Sequence, residues 1–333
     1  MDKSFTALFS QTILEQALHA YGIESSTATL LDGFESFIYQ VSKNGKDYIL
    51  RIGHSARRTP ELIQAESEFL NYLAHGGLLV PQVLLSEAGR LVEEIQAVDG
   101  SFFLTTLFEK AQGRPPKKTE FGPALFFNMG CFMGKLHRLS KDFNPSQPRF
   151  KRFSIEDDLV VMEASARKYL PECDEPVLMA YKETAAAIRS LPKSSSNYGL
   201  CHIDFHGGNF FITDEGKITL FDFDDCQYAW FVYDIAMALF YAISHDCTRP
   251  EELAKAEAFL RHFWQGYVQI NDLDPSWLQQ IRLFLRLREI DLYILIHRSM
   301  DLDNLDPWCA SFMENRRIKI VQATPYCDIN FFV

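Results

Sequence analysis

The sequence predicts an α+β chain in two lobes, a small β-rich N-terminal lobe over residues 1–108 and a larger helical lobe over residues 109–333. Three features carry that expectation. Between residues 30 and 52, and again between 80 and 108, apolar residues fall in short β-rich runs, two of them joined by Asn44-Gly45, a strong hairpin signal. Residues 109–116, which hold Gly113, Pro115 and Pro116, break the pattern. Beyond them apolar residues recur at helical spacing in long runs, interrupted at residues 199–224 by short strands around a polar loop.

Composition narrows the function classes. A hydrophobic share of 47 % with 23 % charged residues over 333 positions is that of an ordinary folded chain with a large core. The formal charge of −11 argues against nucleic acid as the main partner, since phosphate contacts need a basic face, and it suits a cationic ligand. Seven cysteines, an odd number with no C-x-x-C pair, point to reduced thiols and a cytoplasmic location. No basic start leads into an apolar run, and no run approaches the roughly 20 residues of a membrane span, so neither secretion nor a membrane partner is expected.

In order, Ser10 caps a helix over 10–21 that Gly22 ends. The hairpin runs over 37–41 and 47–52. The Gly33-Phe-Glu-Ser36 stretch before it is either a simple turn or a lid whose backbone N–H groups, from Gly33 to Ser36, face phosphate oxygens. Pro60 opens a helix over 60–74, with Leu62, Glu66, Phe69, Leu70 and Leu73 near one face. Arg51, inside a β-rich run, either points to solvent or pairs with Glu66, an acid on that inward face. Strand-bearing segments at 80–92 and 101–108 lead to the connection, where backbone near Thr106 and Phe108 is the expected adenine contact. Residues 123–139 form a close-packed apolar helix carrying Gly130, Gly134 and a core histidine, His137. Helices follow over 156–170 and 174–191, then from Tyr233, with Asp234 in its first turn, then over 251–270, 275–300 and 308–320.

The chemistry lies in residues 199–224. His202, Asp204 and Asn209 have the spacing H-x-D-x-x-x-x-N, that of the catalytic loop of kinases, and Asp222 ends the β-rich run 217–221. Phosphoryl transfer needs a carboxylate to orient the acceptor hydroxyl, a cation on the non-transferred phosphates and hard oxygen ligands for Mg2+. Asp204 and Asn209 are the catalytic candidates, and Asn209 and Asp222 the metal ligands. His202 and His206 brace the loop. Asp224 and Asp225 are either substrate-facing acids or solvated turn residues. Tyr228, Trp230, Phe231 and Tyr233 are either core or an aromatic wall for a cation.

At these residues the chain resembles the aminoglycoside phosphotransferase and choline kinase group, small-molecule kinases with a protein-kinase-like fold. Cys201-His-Ile-Asp-Phe-His-Gly-Gly-Asn209 is similar to the family's H-G-D-x-H-x-x-N loop, with Ile203 where Gly is commonest. Leu220-Phe-Asp-Phe-Asp224 resembles its metal-binding segment, Asp234-Ile-Ala236 its D-[LI]-A helix start, and Gly130 to His137 its L-x-x-L-H helix. Arg51 sits where many members have Lys, which places a guanidinium fork where a point charge is usual. The resemblance implies transfer of the γ-phosphoryl group of ATP (or GTP), with Mg2+, to a hydroxyl of a small, amine-bearing acceptor of aminoglycoside, choline or homoserine type. Its alternatives are a stress-response-type protein Ser/Thr kinase of the same fold, and a non-catalytic nucleotide-binding member. Arg51, Glu66, Gly33, Ser36, Thr106 and Phe108 are the implied nucleotide residues. The likeness is weakest after residue 250, where the helices that would shape the acceptor pocket lie.

Overall fold

A computed structural model describes residues 3–31, 33, 35–243, 247 and 249–330. The chain opens with α1 (Lys3–Leu8) and α2 (Gln11–Ala20), then β1 (Thr29–Leu31), β2 (Phe37–Lys43), β3 (Lys46–His54) and α3 (Pro60–His75). Strands β4 (Val83–Leu84), β5 (Glu93–Gln96) and β6 (Phe102–Glu109) follow. Helices α4 (Pro123–Ser140), α5 (Ile155–Tyr169) and α6 (Glu175–Arg189) precede β7 (Tyr198–Cys201), β8 (Phe210–Ile212), β9 (Ile218–Leu220) and β10 (Gln227–Trp230). The chain ends in α7 (Phe231–Ala242), α8 (Pro250–Tyr267), α9 (Ile281–Ser299), α10 (Pro307–Met313) and α11 (Arg316–Val321).

Two compact units result. The first holds Met1–Arg114 with two returning pieces, Phe143–Arg152 and Phe211–Asp224. Its sheet has the order β1-β2-β3-β6-β4, with β5 also on β6, all antiparallel. Asn44 and Gly45 turn the β2–β3 hairpin at φ 55° and 74°, the left-handed region that a two-residue turn of this type needs. Alternation along β3 sorts the side chains. Leu50 and Ile52 are fully buried in a core with Leu14, Ala17 and Leu18 of α2, which sends Arg51 to the other face. α3 is capped by Thr59 and buries Ile63, Phe69 and Leu70, with Glu66 beside them at 1 % exposure. Leu62, expected on that face, is half-buried, and Ile63 takes the inward position.

The second unit holds Pro115–Asp142, Phe153–Phe210 and Asp225–Val333. α4 lies against α8 at backbone distance. A Cβ at Gly130 would stand 1.8 Å from the Phe263 carbonyl oxygen, and one at Gly266 would stand 2.1 Å from that of Phe127. α7 is buried almost throughout, with Phe231, Val232, Ile235, Ala236 and Met237 at 0 %.

The structure sharpens the sequence expectation at four points. The strand within residues 80–92 is the short β4, and a further strand, β5, lies beyond them. Residues 227–230 form β10, paired antiparallel with β7. The aromatic cluster is core rather than a wall for a cation: Trp230 and Phe231 are fully buried, Tyr233 is 2 % exposed and Tyr228 alone is half-buried. The helix expected over 308–320 is two helices, because Asn315 takes a left-handed φ of 54°. Among the described residues no helix is long and apolar enough to cross a membrane.

Candidate active site

In the first unit, β3 and α3 bring Arg51 and Glu66 together. Arg51 Nη1 and Nη2 donate to Glu66 Oε1 and Oε2 at 2.9 and 2.7 Å, a bidentate fork with side-chain exposures of 11 % and 1 %. The guanidinium also sits 4.9 Å from the Phe108 ring centroid. Thr106 lies opposite Arg51 on β6, buried, with an Oγ1 that bonds to nothing. Gly33 is exposed in the turn before β2, where a Cβ would meet the Ser36 carbonyl oxygen at 2.4 Å. Phe34 of that turn lies outside the described residues.

The same unit contains an arrangement the sequence did not disclose. Asp224 is an ion-paired, largely shielded acid rather than a solvated turn residue. Its carboxylate pairs with Arg57, lies 3.4 Å from Arg58 Nη2 and 3.9 Å from Arg51 Nη1, and its backbone oxygen accepts from Arg152. Burial works to raise its pKa, but Arg57, Arg51, Arg58 and Arg152 outweigh it and hold the carboxyl far below the usual range. Four arginines scattered from position 51 to 152 converge on one acid, which no local pattern announces. Asp222, two residues earlier, is exposed and takes a φ of 62°. Phe223 between them is fully buried, its ring 6.1 Å from that of Phe69, and anchors this segment to α3.

In the second unit, the loop after β7 carries Asp204. Asn209 Nδ2 donates to Asp204 Oδ2 at 2.8 Å and to its carbonyl oxygen at 2.9 Å, bonds that do not use Asn209 Oδ1. His202 Nδ1 accepts from the Asp204 N–H at 3.1 Å. His206, expected only to brace the loop, contacts the carboxylate itself, with Nε2 3.3 Å from Oδ2. Burial raises the Asp204 pKa, but the hydrogen bond and charge of His206, then Arg288 and His202, bring it down to about 2. Asp204 is therefore ionised at any working pH.

A buried acid holds this loop in shape. Asp234, at 0 % exposure, accepts from the His202 and Ile203 N–H groups at 2.9 and 2.7 Å and from His137 Nε2 at 3.0 Å. Tyr267 hydroxyl reaches His137 Nδ1 at 2.8 Å, and Asn271 donates to Tyr267 at 2.7 Å. The chain of donors fixes the His137 tautomer, and burial keeps its pKa below the ordinary value. Ile203 stands at φ 73°, a conformation costing a β-branched residue about 1–2 kcal/mol, and the two bonds to Asp234 hold it there. This is the position where Gly was the expected residue.

Each unit offers a hard oxygen donor of the kind Mg2+ or Ca2+ takes, the Asn209 amide oxygen in the second and the Asp222 carboxylate in the first.

Known proteins agree with this chemistry. The Bacillus subtilis amicoumacin kinase is 35 % identical over 322 residues, 96 % of this chain and 95 % of that protein. A solved amicoumacin kinase, hAmiN, in complex with AMP-PNP, Ca2+ and Ami superposes with a TM-score of 0.92 at 32 % identity, covering 99 % of both chains. A microcompartment-associated aminopropanol kinase shares the fold, with a TM-score of 0.74 at 22 % identity over 94 % of this chain and 95 % of that one. These likenesses give the chain a protein-kinase-like fold. Residues 27–274 match the phosphotransferase enzyme family, and with the loop of Asp204 and Asn209 in place, the chain belongs to that family.

Proposed function

We propose that this phosphotransferase moves the γ-phosphoryl group of ATP to a hydroxyl of a small, amine-bearing molecule. One observation carries the reading: an ionised Asp204 carboxylate, its orientation set by Asn209 and His206, on a loop that a buried Asp234 braces through two backbone bonds. An acid with a pKa near 2 is a weak base. It orients the acceptor hydroxyl through a hydrogen bond and takes the proton late, which suits a transfer with a loose transition state. Arg51, held by Glu66, is the cation for the non-transferred phosphates. Asn209 and Asp222 are the metal ligands, and a divalent cation bound there neutralises phosphate charge. The backbone of β6 near Thr106 and Phe108 and the turn from Gly33 to Ser36 complete the nucleotide site in this reading.

The relatives support the donor and the acceptor class. The solved hAmiN is a complex with AMP-PNP and Ca2+, and the names amicoumacin kinase and aminopropanol kinase are those of small-molecule kinases. The acidic net charge of −11 favours a cationic acceptor.

The test is nucleotide binding and turnover with Mg2+ over a panel of amino alcohols and amino sugars, comparing the wild type with Asp204→Ala and Asp222→Ala. The expected result is acceptor-dependent ADP release that both variants lose, with nucleotide binding kept in Asp204→Ala and weakened in Asp222→Ala. A wild type that neither binds Mg-nucleotide nor turns it over overturns the reading.

A further inference from the structure

The loop that carries Asp204 is held by two residues of α7. Asp234, in the first turn of that helix, takes the His202 and Ile203 N–H groups at 2.9 and 2.7 Å. Tyr241 follows seven residues later, about two turns along and so on the same face. Its ring sits 4.8 Å from that of His206, tilted by 46°, and its hydroxyl is within hydrogen-bonding reach of the Asp204 carboxylate. Asp234 holds backbone, whereas Tyr241 reaches the carboxylate itself.

Each bond in this group has a fixed direction. Arg288 of α9 donates through Nη2 to the Tyr241 hydroxyl oxygen, its guanidinium carbon 5.5 Å from the ring centroid. A guanidinium only donates, so the hydroxyl oxygen accepts there and its proton turns away. An ionised carboxylate only accepts, so toward Asp204 the Tyr241 hydroxyl is the donor. His206 is fixed in the same way. Its Nδ1 accepts from the Gly208 N–H at 3.0 Å, which puts the proton of the neutral ring on Nε2, 3.3 Å from Asp204 Oδ2. Asn209 Nδ2 donates to that same oxygen at 2.8 Å. A carboxylate has about four acceptor positions, and donors from Asn209, His206 and Tyr241 are directed at this one. Among the described residues Arg288 makes no direct ion pair with a carboxylate, and its charge reaches Asp204 across the Tyr241 hydroxyl. Setting a partly buried guanidinium against a neutral hydroxyl is a poor way to stabilise a fold, but it fixes where the hydroxyl proton points.

We propose, resting on the reading that Asp204 serves an acceptor hydroxyl, that Tyr241 and Arg288 are positioning residues for its carboxylate: Arg288 turns the Tyr241 proton toward Asp204, and Tyr241, with Asn209 and His206, leaves the carboxylate one remaining direction in which to take the acceptor hydroxyl. Neither residue touches the acceptor. The gain is orientation of the reacting oxygen, which enters the transfer step rather than the binding of either substrate.

The experiment offers Mg-ATP with water alone, 3-aminopropan-1-ol, homoserine or glucosamine, and takes kcat and KM from ADP release with the fastest acceptor. The variants are Tyr241→Phe, which keeps the ring against His206, Arg288→Met, the two combined, and Arg288→Lys, which keeps the charge. Each of Tyr241→Phe and Arg288→Met should lower kcat about 10-fold, the effect of one hydrogen bond to a charged group, while the acceptor KM and the Mg-ATP Kd stay within about twofold. The double variant should lose no more than either single one, because Arg288 acts only through the Tyr241 hydroxyl. Arg288→Lys should recover part of the loss. If Arg288→Met does not fold, Arg288→Lys takes its place in the same cycle with Tyr241→Phe. A kcat within about twofold of the wild type in Tyr241→Phe overturns the positioning role, as does a loss confined to the acceptor KM, which would put Tyr241 on the substrate. Losses that multiply in the double variant overturn the relay from Arg288. A wild type that releases ADP with none of these acceptors, water included, sinks the kinase reading instead.

Discussion

Asp224→Asn removes one charge from the centre of a cluster of arginines and is expected to destabilise the first unit by about 3 kcal/mol. The carboxylate contacts Arg57 and stands 3.4 Å from Arg58 and 3.9 Å from Arg51. At those separations, with an effective dielectric of about 20, each pair is worth roughly 4–5 kcal/mol before desolvation. Desolvation cancels most of that, so the net cost falls at the lower end of the range for breaking a buried pair. The remaining partners soften it further, since Arg51 keeps Glu66 at 2.7 Å and Arg57 keeps Glu35 at 3.2 Å. The sign with pH is fixed. Asp224 has a folded pKa far below its unfolded value of about 3.9, so its contribution is fully present above that value and fades as pH falls from there through the folded pKa. Urea unfolding followed by far-ultraviolet circular dichroism is the assay, in a pH series from 7 downward. The wild type and variant should differ by about 3 kcal/mol at pH 7, begin to converge below about pH 4 and close the gap over roughly two further pH units. Sulfate should recover part of the loss in the variant alone, by taking the place of the carboxylate. A difference under about 0.5 kcal/mol, the level of a surface change, or one that does not change with pH, refutes the arginine cluster as described.

Three further outcomes follow from the geometry. Glu66→Ala strips the buried Arg51 of its bidentate partner and leaves Asp224 at 3.9 Å, and calorimetry with an ATP titration should show about 2–3 kcal/mol less stability and a nucleotide KM raised about tenfold. His137 is neutral because burial lowers its pKa, so the unfolded chain binds a proton that the folded chain does not. Stability should fall as pH drops below about 6.5, and His137→Gln should flatten that part of the stability profile. Gly130→Ala puts a Cβ 1.8 Å from the Phe263 carbonyl oxygen, so α4 and α8 must separate, at a cost of about 3 kcal/mol in a chemical denaturation curve.

The sequence announced what depends on local pattern. The hairpin at Asn44-Gly45, the capped helices beginning at Gln11 and Pro60, and the loop from His202 to Asn209 all rest on short-range spacing. Alternation along β3 combined with the face of α3 made the Arg51–Glu66 pair readable, because two periodicities met at one point. What stayed hidden was long-range. Asp224 collects arginines up to 173 positions away in sequence, and Asp204 draws Tyr241 and Arg288 from helices with no motif of their own. The backbone hid the rest. A left-handed residue at Asn315 split a helix whose apolar spacing ran through it, and Ile203 occupies a conformation its side chain disfavours because Asp234 holds the backbone there.

The account turns on Asp204 directing phosphoryl transfer to a hydroxyl. Mass spectrometry and phosphorus NMR of an amino-alcohol or hydroxy-amino-acid acceptor, incubated with ATP and Mg2+, test this directly. The wild type should yield an O-phosphorylated acceptor, and Asp204→Asn should bind ATP within a few-fold of the wild type yet form product about 10²- to 10⁴-fold more slowly. Phosphorylation on nitrogen, or undiminished product from Asp204→Asn, would contradict it.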